Sequence, residues 1–137
     1  MPEPTPIGPI APFFIVRDLP RAIAFYRDQL GFEVRFQAPS EDPFFAIVGR
    51  DAVEVHLKVI DASVAPQPNP SRHEWAAWDA FVFVNDPDAL AGELETNAIP
   101  FHRKLENRDD GLRGFEVRDH DGYVLFFGRP TDSDAGR

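Results

Sequence analysis

The chain has 137 residues, enough for one domain with a sizeable core but not for two. Its 23 acidic residues outweigh 14 basic ones, and a formal charge of −9 repels a phosphate backbone, so nucleic acid is excluded as the expected partner. There is no cysteine, hence no disulfide framework, thiolate nucleophile or Cys-based metal site, and no stretch approaches the roughly 20 apolar residues of a membrane span.

The opening "MPEPTPIGPIAP" has proline at positions 2, 4, 6, 9 and 12, which favours an extended arm over a helix. It lacks the basic region and apolar run of a signal peptide, so a cytoplasmic protein is expected. "IAPFFIV" reads as a strand. Asp18 is a helix cap with Pro20 in the first turn, and "RAIAFYRDQL" carries apolar residues at helical spacing up to the stop at Gly31. Three strands follow in "FEVRFQ", "FFAIVGR" and "AVEVHLKVI", then a long loop, "DASVAPQPNPSRHEW". The pattern restarts: "WDAFVFV" is a strand, Asp86 and Pro87 open a second helix over "ALAGELETN", and "IPFHRKL", "GFEVRD" and "YVLFFG" are strands. The tail, 131–137, reads as disordered.

The restart is an internal repeat. "FFIVRDLPRAIAFYRDQL" aligns with "FVFVNDPDALAGELETNA", placing Phe13 on Phe81, Val16 on Val84 and Asp18 on Asp86. "DAVEVHL" aligns with "DGYVLFF", placing His56 on Phe126. The expected fold is therefore α+β, with two β-α-β-β-β modules (about 10–60 and 78–129 of a single domain, 1–130). Together they make a curved mixed sheet with a concave cleft and helices on the outer face.

Strand alternation selects the residues of that cleft. Val53, Val55, Leu57 and Val59 form an apolar face for the helix, leaving Glu54, His56 and Lys58 on the other side. Phe14 and Val16 face the helix, and Ala11, Phe13 and Ile15 the cleft. By the repeat, Asp79, Phe81 and Phe83 join them. In the last strand Tyr123, Leu125 and Phe127 pack inward while Val124 and Phe126 face the cleft. Trp75 and Trp78 flank the long loop and either cap the cleft or anchor the loop. The cleft is thus aromatic, with His56, Asp79 and Glu54 as its polar groups. His73 and Glu74 offer a second, less economical set of metal donors beside His56 and Asp79; loop His/Glu pairs are usually solvated. His102, Arg103 and Lys104 read as charges protecting a strand edge, and Asp121-Gly122 as a hairpin turn. Neither a Gly-x-Ser-x-Gly elbow nor a glycine-rich phosphate loop is present.

"FFIVRDLPRAIAFYRDQLGFEV", "FAIVGRDAVEVHL" and "FEVRDHDGYVLFFG" resemble the vicinal oxygen chelate superfamily of glyoxalases, extradiol dioxygenases and bleomycin resistance proteins. The resemblance covers roughly residues 10–129. It implies four metal-ligand positions, which here fall on Ala11, His56, Asp79 and Phe126. Alanine and phenylalanine cannot hold a metal, and two protein ligands are fewer than catalytic zinc sites use. The resemblance is therefore greatest to the metal-free bleomycin resistance branch. It implies a homodimer with N-terminal arm exchange, no cofactor and no metal. It also implies a role in antibiotic resistance: non-enzymatic sequestration of a cationic or aromatic, bleomycin-like small molecule by Phe13, Ile15, Glu54, His56, Trp75, Trp78, Asp79, Phe81, Phe83, Val124 and Phe126. The alternative is a metal-dependent lyase, transferase or dioxygenase of the same superfamily.

Overall fold

The structure, a computed structural model, describes residues 3–131. Of the expected tail, 131–137, residues 132–137 lie outside the described residues. Among the described residues each half contributes one α-helix and four strands. The first half holds β1 (Phe13–Ile15), α1 (Leu19–Ala24), β2 (Glu33–Ala38), β3 (Phe45–Arg50) and β4 (Val53–Lys58). The second holds β5 (Ala80–Phe83), α2 (Pro87–Thr96), β6 (Phe101–Asn107), β7 (Leu112–Arg118) and β8 (Val124–Pro130). The expected α+β pair of modules is present. The strands form two separate four-stranded sheets, in the orders β1-β4-β3-β2 and β5-β8-β7-β6. In each half one parallel pair (β1 with β4, β5 with β8) adjoins two antiparallel pairs.

Both helices start as their sequences dictate. Asp18 Oδ1 accepts from Arg21 N at 3.1 Å and Asp86 Oδ1 from Ala89 N at 3.0 Å, each with proline in the first turn. Beyond Ala24 the first helix widens into a π-helical turn, Phe25–Gln29, which seats Tyr26 in the interior with no exposed surface.

The repeat holds residue for residue. Phe13 pairs with His56 and Phe81 with Phe126; Val16 N–H donates to the Lys58 carbonyl and Val84 N–H to the Gly128 carbonyl. Alternation places Phe14, Ala46, Val48, Val55 and Leu57 of the first sheet, and Phe115, Val117, Leu125 and Phe127 of the second, on the helix-bearing faces. These merge with Tyr26, Phe25 and Leu94 into one continuous core. Contacts between the two halves bind the modules together. Phe14 stacks on Tyr123 at 4.1 Å, the Tyr26 hydroxyl donates to Asp119 Oδ2 at 2.9 Å, Arg50 forms a bidentate pair with Glu93, and Asn97 Nδ2 donates to the Gln29 carbonyl.

Candidate functional site

The opposite faces of the two sheets carry no helix, and each presents its own aromatic surface. On the first, Phe45 lies at the centre: its ring is 6.2 Å from Phe13, 6.1 Å from Phe36 and 5.6 Å from His56. Phe13 and Phe36 are half exposed. Phe36 and Phe45 were not among the expected residues. Their membership follows from register, since β3 pairs Ile47 with His56 and so brings Phe45 to the same face. Glu54 belongs to this face too, but Arg35 holds it at 3.2 Å while also bonding Glu33 and the Asp51 carbonyl. Its charge is already matched.

The second face is built differently. Phe126 lies under Trp78 (4.9 Å) and Phe81 (5.1 Å), with the Arg108 guanidinium 5.5 Å from its ring. It has no exposed surface, and Val124 almost none. Both were expected to contact ligand; in the single chain both are buried, Phe126 as the floor beneath Trp78 and Phe81. Gly114 and Gly128, paired across β7 and β8, leave room for the floor ring; a Cβ on Gly114 would meet Phe126 Cζ at 2.6 Å and overlap the Phe127 carbonyl. Arg108 also lies 5.6 Å over Trp78 and bonds the buried Glu116 at 3.1 Å. Glu116 neighbours Phe126 across the sheet. Alternation in "GFEVRD" already opposes Glu116 to the core residues Phe115 and Val117, so its position was readable; the reach of Arg108 from the end of β6 was not.

Asp79 is a latch. Its Oδ1 accepts from Asn69 N at 2.7 Å and Oδ2 from Val124 N at 2.9 Å, tying the long loop to the start of β8. With Pro12, Phe13, Ile15, Gln67 and Tyr123 it lines a hollow of about 500 Å³ beside β1. Trp75 is 83% exposed and touches only the His73 ring among the described aromatics, so it does not cap either face. Phe83 points to the seam between the modules. Among the described residues no ring contact joins the Phe13–Phe45–His56 cluster to the Trp78–Phe81–Phe126 cluster, and no three His, Cys, Asp or Glu side chains converge as metal donors. Nor is any helix among them long and apolar enough to cross a membrane.

A sequence model of the Glyoxalase/Bleomycin resistance protein/Dioxygenase superfamily matches residues 7–127. The chain belongs to that superfamily. Solved members include a bleomycin-binding protein from bleomycin-producing Streptomyces verticillus, complexed with copper(II)-bleomycin. It is 26% identical at a TM-score of 0.66, with 94% of this chain and all of that one covered. TioX from Micromonospora sp. ML1 (18% identity, TM-score 0.67, 89% and 98% covered) shares the fold. So does TnmS3, an antibiotic binding protein from Streptomyces sp. CB03234 (19%, 0.62, 87% and 93%). No curated protein matches the sequence. The four ligand positions that the resemblance implied are related in pairs by the internal repeat. His56 and Phe126 lie opposite Phe13 and Phe81 across the parallel strand pairs, and Ala11 and Asp79 each stand two residues before Phe13 and Phe81. Of the four, Ala11 and Phe126 have no donor, and both carboxylate oxygens of Asp79 accept backbone hydrogen bonds.

Proposed function

We propose that the protein binds and sequesters a cationic or aromatic small molecule in the cytoplasm without altering it chemically. The observation that carries this reading is the pair of helix-free aromatic faces: Phe13, Phe36 and Phe45 around His56, and Trp78 with Phe81 over Phe126. Rings of this kind stack planar groups and attract cations, and a net charge of −9 adds long-range attraction. The 26% identity to a protein crystallised with copper(II)-bleomycin supports a ligand of that type.

A homodimer completes the proposal. Two separate half-exposed aromatic faces on one chain are an unusual surface for a monomer. Two-fold pairing would set the first face of one chain against the second face of its partner, giving two equivalent clefts. The arm before β1 supports this arrangement: Ile7 and Ile10 are 94% and 90% exposed in the single chain, and prolines keep the segment extended.

Calorimetric titration with metal-free and copper(II)-loaded bleomycin, followed by mass spectrometry of the recovered ligand, tests the reading. Saturable binding with the ligand returned unchanged is expected. A chemically altered ligand, or one tightly held transition metal per purified chain near His56, would establish an enzyme instead.

A further inference from the structure

The internal repeat makes two equivalent seams between the modules, and they are filled unequally. At the first, the β7–β8 turn of the second module packs on β1 of the first. Tyr123 stacks on Phe14 with ring centroids 4.1 Å apart and planes 5° from parallel, and its hydroxyl donates to the Ile15 carbonyl at 2.7 Å. Arg17 N donates to Asp121 Oδ1, and the fully buried Tyr26 closes the interior side through Asp119. At the second seam, the β3–β4 turn of the first module faces β5 and α2 of the second. The strand registers define the equivalences. Phe14 pairs with Leu57 as Val82 pairs with Phe127, so Val82 stands for Phe14 and Phe83 for Ile15. Val53, three residues before His56, stands for Tyr123, three before Phe126. Leu94 stands for Tyr26: the Ile99 and Phe32 amides, just past the two helices, donate to their respective carbonyls.

At the second seam, then, three aromatic side chains are replaced by two valines and a leucine. The volume they would occupy is open. A pocket of about 450 Å³ lies there, walled by Val53, Val82, Val84, Leu90, Leu94 and Phe127. Its rim is held by the Arg50–Glu93 pair at 2.8 and 2.9 Å, with Arg50 also donating to the Leu30 carbonyl. The volume falls within the range of small-molecule sites, and an apolar cavity about a third as large is enough for benzene.

From this we infer that the second seam is a binding site for a small planar aromatic molecule carrying one hydrogen-bond donor, of the phenol class, separate from both aromatic sheet faces. The filled seam is the template for the bound state. A ring lying against Val53 and Val82 takes the place of the Tyr123 ring, and its hydroxyl meets the equivalent of the Ile15 carbonyl, that of Phe83. β5 is the edge strand of its sheet, so its outer backbone row borders the pocket. The site is independent of the sequestration reading: it shares no residue with the clusters around Phe45 and Phe126.

The test uses the full chain, with 4-fluorophenol as probe and fluorobenzene as the comparison lacking a donor. Methyl NMR during the titration should show saturable shifts at Val53, Val82, Val84 and Leu90, with fluorobenzene weaker by about tenfold, the cost of a lost hydrogen bond. Val53→Tyr, which restores the template's own ring, should reduce 4-fluorophenol affinity at least about tenfold while raising the melting temperature. Ala89→Phe, an exposed change on α2 at the pocket mouth, should reduce affinity in the same way without touching the core. The inference is overturned by absence of binding up to the solubility limit. Shifts confined to the sheet faces, or affinity unchanged in either folded variant, would also overturn it.

Discussion

At the scale of single residues, chemistry follows from what lies over each side chain. Phe13 and Phe36 are half exposed and available for stacking, whereas Phe126 is roofed by Trp78 and Phe81. Phe13→Ala and Phe36→Ala should therefore weaken bleomycin binding in calorimetry and leave urea unfolding nearly unchanged; each lost aromatic contact is worth roughly 0.5–1.5 kcal/mol beyond burial. Phe126→Ala should do the opposite first, costing about 3–5 kcal/mol of stability through the cavity above Gly114 and Gly128. Asp119 offers a second test. It is buried, and burial raises its pKa from 3.8 to about 6 against the opposing hydrogen bonds from the Tyr26 hydroxyl and the Tyr123 and Asp121 amides. A carboxyl whose folded pKa exceeds its unfolded one contributes stability that is complete below about pH 4 and lost as pH rises through about 6. The difference between wild type and Asp119→Asn, measured by urea unfolding across that window, should move in favour of the wild type toward the acid end by up to roughly 3 kcal/mol. A flat difference would show that the three hydrogen bonds offset the burial.

At the scale of elements, the two helices begin alike and end differently. The first passes through its π-helical turn to Gly31, which takes φ 75° at no steric cost; the second ends at Ala98, which takes φ 61° with a Cβ in place. Ala98 is exposed, so removing that Cβ sacrifices little packing. Ala98→Gly should raise stability by about 0.5–1 kcal/mol, or a few degrees in thermal unfolding for a domain of this size. The strands show how a one-residue register decides a site. His56 and Phe126 occupy equivalent positions, yet His56 is bordered by the open Phe13–Phe45 surface and Phe126 by a glycine pair that lets its ring lie flat against the sheet.

At the scale of the whole molecule, one continuous core and a set of cross-module contacts join the halves, and no ring contact among the described residues joins the two aromatic faces. The homodimer proposed for those faces predicts a coupled loss. Removing residues 1–11, while retaining Pro12 whose carbonyl accepts from His56 N, should lower the sedimentation coefficient at micromolar concentration and weaken bleomycin binding together. A full-length chain that sediments as a monomer, or a shortened one that stays dimeric with unchanged affinity, would remove the arm and the dimer from the proposal.

The sequence by itself determined the periodicities and therefore the elements. Two prolines behind capping aspartates started the helices, alternation assigned the faces of β4 and β8, and the repeat between "FFIVRD" and "FVFVND" set the register in which Phe13 meets His56 and Phe81 meets Phe126. These are local or repeated signals, carried by neighbours along the chain. Only the tertiary structure decided which cleft-side residues are accessible, because accessibility depends on what crosses over from elsewhere. Trp78 covers Phe126, Arg35 neutralises Glu54, and the loop amide of Asn69 occupies Asp79. The unequal seams belong to the same class. Val53 in place of Tyr123 is visible in the alignment, but it borders a pocket only because the Arg50–Glu93 pair spans the rim and the packed core holds the walls around the missing volume.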